Sequence, residues 1–264
     1  MLINTVVLFL RDVLPVFILM SLLLAASEYL QVRLRWLFFC LPFGLLGAVV
    51  LINQIGLISE WFDGAGMEVM LFSLHFCIYL LSVGYAFLQQ AGARYTAKLA
   101  LCSAVMMTLV FWVCGANFLV FFMGYWSQTN AAQALVLGGV LGLGINLSVA
   151  TLLFFAAIWM MNRFGVFVQL LMLLVFSAGQ AAQATHLLVQ IDWLSQTAPL
   201  WDSSDGIADN SVIGHFLRSL IGYEAAPNLY QVIFYAGGLL FPVTGLYLFN
   251  RYQHRTTLVM EVRQ

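Results

Sequence analysis

Long apolar runs separated by short polar breaks fill the chain. Seven runs come close to the ~20 residues that a helix needs to cross a bilayer. They cover 2–26, 36–58, 67–89, 99–125, 132–161, 165–191 and 228–250. Each is expected to be helical, because lipid offers no partners to free backbone groups. The fourth and fifth runs are long, which predicts tilt or a short extension past the bilayer. The glycine run LGGVLGLG (137–144) has small residues four apart, the spacing of close helix packing. One run is irregular. In LFLRDVLPVFILMSLLLAAS (8–27), Arg11, Asp12 and Pro15 interrupt the apolar pattern near the middle of the span, where ionisable groups are expensive and usually functional. The AAS at 25–27 looks like a leader cleavage site, but no basic region precedes it and the run is too long, so a mature helix is expected.

Composition sharpens the class. Of the 264 residues 63% are hydrophobic and 8% charged, against roughly 25% charged in a soluble domain, and the mean hydropathy is +0.97. The expectation is an all-α polytopic membrane protein, a single membrane domain over 1–264. The distribution of charge sets its orientation. Alternating the loops puts Arg33, Arg35, Arg94, Lys98, Arg163, Arg251, Arg255 and Arg263 on one side. Glu60, Asp63, Glu68, Asp192, Asp202, Asp205, Asp209 and Glu224 fall on the other, with Arg218. Basic loops stay in the cytoplasm, so the N-terminus is expected outside, the tail 251–264 in the cytoplasm, and the protein in the cell inner membrane. The expected partner is the bilayer, and no nucleic acid.

The only sizeable loop, 192–227, carries its own helix signal. Ser211 can cap it, and Val212, Phe216, Leu217 and Leu220 repeat at helical spacing. Gly222 and Pro227 punctuate its end. This predicts a lid on the outer helix ends, with Trp193, Trp201 and Tyr223 at headgroup level.

Laying VLFLRDVLPVFIL (7–19) against VFWVCGANFLVFF (110–122) gives two apolar blocks around a more polar centre, one in the first span and one in the fourth. The spans then divide into two three-helix units, 1–90 and 95–191, and a seventh helix, 228–250. The first span enters from outside and the fourth from inside, the arrangement of an inverted repeat with both irregular centres near the midplane.

On these residues the chain resembles the high-affinity iron permease family, the oxidase-coupled iron transporters. The tail SVIGHFLRSLIGYEAAPNLYQVIFYAGGLLFPV (211–243) carries the likeness most specifically, joined by PLWDSS (199–204) and INQIGLISEWFDGAGMEVM (52–70). The resemblance implies seven helices with two inverted three-helix repeats. It also implies an Arg-Glu-x-x-Glu motif in the first and fourth helices, whose carboxylates hold Fe³⁺ in mid-membrane. Here the first copy reads Arg11-Asp12-Val13-Leu14-Pro15 and the second Cys114-Gly115-Ala116-Asn117-Phe118, so one carboxylate stands where the family has four.

Arg11 and Asp12 therefore have two readings, a neutral structural pair or an ion or proton site. Asp12 with Asn117, Cys114 and His75 is a softer donor set, suited to Cu⁺, Zn²⁺ or Fe²⁺ rather than Fe³⁺. Pro15 leaves a backbone carbonyl without its helical donor, and such a carbonyl can line a cavity. Glu60, Asp63 and Glu68 would form an acidic outer entrance that concentrates cations. His75 and His186 lie in the outer leaflet on different helices. They are either satisfied by amides and hydroxyls such as Gln180, Gln183 and Thr185, or axial ligands of a haem b. His215 and His254 carry no evident chemistry, and the four cysteines read as buried small hydrophobes.

No GxSxG, P-loop or HExxH occurs, so no enzyme is expected. Three functions stay open: an iron-permease-like protein taking up iron or another metal ion; a transport-incompetent scaffold or subunit, homo- or hetero-oligomeric, beside other membrane subunits or a periplasmic redox protein; and a haem-bearing electron carrier.

Overall fold

A computed structural model describes residues 2–91, 95–126 and 132–261; Arg94 and Arg263 of the basic side lie outside them. All regular structure among the described residues is helical: α1 (Leu2–Asp12), α2 (Leu14–Tyr29), α3 (Trp36–Asn53), α4 (Ile55–Ser59), α5 (Gly66–Gln90), α6 (Thr96–Trp126), α7 (Ala132–Phe164), α8 (Val166–Gln190), α9 (Val212–Ile221) and α10 (Leu229–Glu261). Among them α3, α5, α6, α7, α8 and α10 are each long and apolar enough to cross a membrane, which makes this a multi-pass helical membrane protein.

The expected first span is not one helix. It breaks at Val13 into α1 and α2, which bend by 43°. Pro15 explains the break: it brings no N–H to the carbonyl four residues back, and its ring crowds that turn, so it sits in the first turn of a new helix instead. Val13 N–H still reaches the Phe9 carbonyl at 3.0 Å. The wholly buried Asn146 of α7 donates to the same carbonyl at 3.0 Å. A side chain thus steadies the backbone where the helix fails.

Three further boundaries differ from the apolar pattern. The second run ends as a helix at Asn53, and 55–59 forms the separate α4. The turn Trp61–Gly64 follows, with Phe62 and Asp63 at φ 53° and 59°. α2 runs on to Tyr29. The seventh helix continues to Glu261, through the stretch expected to be a tail.

α2 and α8 form the centre. Leu14, Ile18, Leu19, Leu22 and Leu23 of α2 and Leu170, Leu173, Leu174 and Phe176 of α8 are almost wholly buried. α3 packs along α6, α7 along α1 and α2, and α5 along α8, while α10 lies outside α8 and α5. Large apolar side chains such as Phe38, Leu45, Leu152 and Phe241 stay exposed on the outer helices, which suits a lipid solvent. The glycine run packs closely, as its spacing predicts. A Cβ at Gly142 would lie 2.6 Å from Phe9 Cβ, so α7 reaches α1 at that contact distance only because the methyl is missing.

The helix expected in the loop is present. Ser211 Oγ accepts from Gly214 N–H at 2.9 Å, and Gly222 closes α9 at φ 72° with its N–H on the Arg218 carbonyl. α9 packs on α8, α1 and α2. Its far end meets α8 backbone to backbone, where a Cβ on Gly179 would come within 2.9 Å of Gly222 Cα.

Candidate functional site

The break in the first span opens onto a cavity of about 410 Å³. Residues from α1, α2, α5, α6, α8 and α9 line it, and it brings together Arg11, Asp12, His75, Cys114, Asn117 and His186. These are the residues the sequence offers for an ion path, a metal or a haem. Exposed Gln190 and half-buried His186 and Gln183 mark its outer part, while buried Asp12, His75 and Gln180 form its depth. Glu60, Asp63 and Glu68 do not line it. They sit on the turn before α5 and in its first turn, and the Phe62–Trp193 ring contact at 6.3 Å ties that turn to the start of the 192–227 loop.

Arg11 and Asp12 form a two-pronged pair between sequence neighbours. Arg11 Nε donates to Asp12 Oδ1 at 2.8 Å and Nη2 to Oδ2 at 2.9 Å. Asp12 is 7% exposed and Arg11 38%. Both carboxylate oxygens are therefore engaged at the bottom of the cavity, while the guanidinium keeps partial access to it.

His75 is satisfied by an amide. Its Nδ1 lies 2.8 Å from Gln180 Oε1. That oxygen only accepts, so Nδ1 carries the proton and Nε2 keeps its lone pair. His186 faces Gln190 Nε2 at 3.4 Å. Among the described residues no three His, Cys, Asp or Glu side chains stand together closely enough to hold a metal ion. Asp12 and His75 thus share a cavity without a third ligand to complete a resident centre.

The haem reading fits poorly. A porphyrin needs a largely apolar slot. Of the fourteen lining side chains only Pro15 and Val113 are hydrocarbon, and Arg11, Arg218 and four glutamine or asparagine amides crowd the depth and mouth.

Sequence reasoning overlooked His215, Arg218 and Ser219. All three line the cavity from α9. They fall at i, i+3 and i+4 of an otherwise apolar helix, one polar stripe, and that spacing was the available signal. His215 Nδ1 is buried with no partner among the described residues. Burial, then the charges of Arg11 and Arg218, hold His215 below the usual imidazole range against the pull of Asp12 and Asp209. Arg218 also approaches Glu224 at 3.9 Å.

The lid is anchored by polar contacts. Leu200 N–H meets the Pro227 carbonyl at 3.0 Å and Ser203 N–H that of Ala225 at 2.9 Å. Asp209 Oδ1 accepts from Ala225 N–H at 2.9 Å. Asn228 and Gln231 bond each other's backbone N–H at 2.8 Å, a reciprocal cap that starts α10. Asp202, held by the hydroxyl and N–H of Ser204, titrates below the usual carboxylate range. No protein-family model, no curated protein and no solved structure matches this chain.

Proposed function

We propose that the chain is an iron-permease-like protein of the cell inner membrane, in which a metal ion enters the cavity at the break of the first span. The observation that carries this reading is the convergence of Arg11, Asp12, His75, Cys114, Asn117 and His186 on one cavity. Interrupted helices near the midplane are where transporters hold their cargo. α1 and α2 then cross together as one bent span, giving seven spans with the basic end inside. The cargo enters from the end that bears Glu60, Asp63, Glu68 and the lid. Three imidazoles, one thiol and one carboxylate make a borderline donor set, so Fe²⁺, Zn²⁺ or Cu⁺ suits it better than Fe³⁺.

Helix packing supports the inverted repeat. The second helix of each unit packs on the first of the other, α3 on α6 and α7 on α1–α2, and the third helices, α5 and α8, face each other. In the alignment of 7–19 with 110–122, Phe9 corresponds to Trp112. Gly142 meets Phe9 and Gly47 meets Trp112, each at a distance no Cβ would tolerate.

One observation favours a second reading. Arg11 already occupies both oxygens of Asp12, and no three-ligand group exists among the described residues. A transport-incompetent subunit beside other membrane subunits or a periplasmic redox protein would keep just such a pair.

Proteoliposomes loaded with a metal-sensing dye separate the two. Wild type is expected to admit Fe²⁺ or Zn²⁺. Asp12→Asn is expected to fold and to stop uptake. Arg11 keeps 38% exposure, so the stability lost stays below the about 3–5 kcal/mol of a fully buried broken pair. Arg11→Met with Asp12→Leu should fold as well and remain inactive. Uptake by the double variant would remove Asp12 from the path. A wild type that admits no metal but is extracted with a second subunit would establish the subunit reading instead.

A further inference from the structure

A second cavity, of about 860 Å³, lies at the opposite, basic end of the molecule between the starts of α3 and α6. Gln31, Arg33 and Arg35 line its upper part, and Phe39, Leu101 and Ala104 its wall. Arg33 and Arg35 are exposed, and neither makes an ion pair among the described residues. Phe39 and Leu101 are 61% and 66% exposed although apolar. Two helices begin here, α3 at Trp36 and α6 at Thr96. Their dipoles favour an anion, although at α3 the N–H groups of Leu37 and Phe38 already meet the Leu34 and Arg35 carbonyls at 3.1 and 3.2 Å.

A second observation is independent of these. Trp36 lines the cavity and is only 3% exposed, yet its Nε1 is buried with no acceptor among the described residues. A buried indole N–H normally finds a partner, and leaving one unmet is costly. The partner it lacks is an acceptor; the N–H itself is closed off from the cavity, so an acceptor there reaches it when the indole ring shifts.

We infer that this cavity is a binding site for one anionic phospholipid. Its phosphate meets Arg33, Arg35 and the start of α3. A phosphate or ester oxygen accepts from Trp36 Nε1, and an acyl chain lies along Phe39, Leu101 and Ala104. A free phosphate would use the upper part alone and leave the apolar wall bare. Basic pockets between spans on the cytoplasmic side hold anionic headgroups for this reason. The inference rests on the chain spanning a membrane and not on transport.

The test is native mass spectrometry of the full chain released from nanodiscs of equal phosphatidylglycerol and phosphatidylcholine. Wild type is expected to retain phosphatidylglycerol over phosphatidylcholine by about tenfold or more, two surface arginines being sufficient for that. Arg33→Gln with Arg35→Gln should abolish the preference. Trp36→Phe, which removes only the N–H, should reduce it several-fold with the melting temperature unchanged. Millimolar inorganic phosphate should not displace the lipid. Equal retention of both lipids by wild type, an unchanged preference in Trp36→Phe, or displacement by inorganic phosphate would each overturn the proposal.

Discussion

Two buried polar clusters sit toward opposite ends of the helix bundle, and they are built differently. Toward the lid, Arg11, Asp12, His75 and Gln180 surround open space. Toward the basic end, Gln89 Nε2 donates to Gln169 Oε1 at 3.0 Å, and Gln169 reaches the Leu22 carbonyl at 3.5 Å. Gln169 is wholly buried and Gln89 nearly so. The first cluster can exchange its partners with water or a solute. The second ties α5, α8 and α2 together by amides that face one another. One cluster thus encloses a cavity and the other is closed by facing amides, a vestibule and a plug within the helix core.

The sharpest way to break this comparison is to remove one amide from each cluster. Gln89→Leu strands the buried Gln169 oxygen but also removes the Gln89 Oε1, which has no partner among the described residues, and should cost toward the low end of about 1–3 kcal/mol. Gln180→Leu strands His75 Nδ1 beside a cavity, where water can replace the lost acceptor, and should cost less than about 1 kcal/mol. Thermal unfolding in detergent reads both, and equal losses would show that the plug is as wet as the vestibule.

Ser211→Ala tests whether the vestibule's lid is an independent unit. Loss of the cap should cost about 1 kcal/mol and raise amide exchange over 212–221, with 166–174 of α8 unchanged. The smallest effect is expected from pH. His215 faces Arg11, Arg218, Asp12 and Asp209, and its affinity for a proton is lower in the folded lid than in an unfolded chain. The neutral form therefore favours the docked lid. That contribution is fully present above the ordinary imidazole value of 6.5 and is lost as pH falls toward the lower folded value. Exchange over 212–221 should rise on acidification below about pH 6.5, and His215→Gln should flatten the response. The plug carries only amides and should not respond.

The sequence showed the parts of this design that follow from hydropathy and local chemistry. The third and sixth runs, 67–89 and 165–191, correspond to Gly66–Gln90 and Val166–Gln190. α9 was visible through Ser211 and Gly222 because both ends of that helix are set by single residues. Hydropathy does not register backbone direction, so it joined α1 to α2 across Val13 and α3 to α4 across Gln54. Charge does not stop a helix, so α10 runs on into the expected tail, to Glu261. Asp12 was found because a carboxylate in an apolar run is conspicuous. His215 and Arg218 were passed over because a loop hides polar residues among its peers, and only the docking of α9 turns that stripe inward.

The pairing of Arg11 with its own neighbour bears on how the chain enters the bilayer. The two charges neutralise each other within one turn of one helix, so no later span is needed to supply a counter-ion. The leading segment can leave the insertion machinery as an electrically neutral unit while α7, its main packing partner more than a hundred residues downstream, has yet to be synthesised. Had the aspartate sat on a distant helix, the arginine would have waited in lipid without that counter-ion until the helix was made.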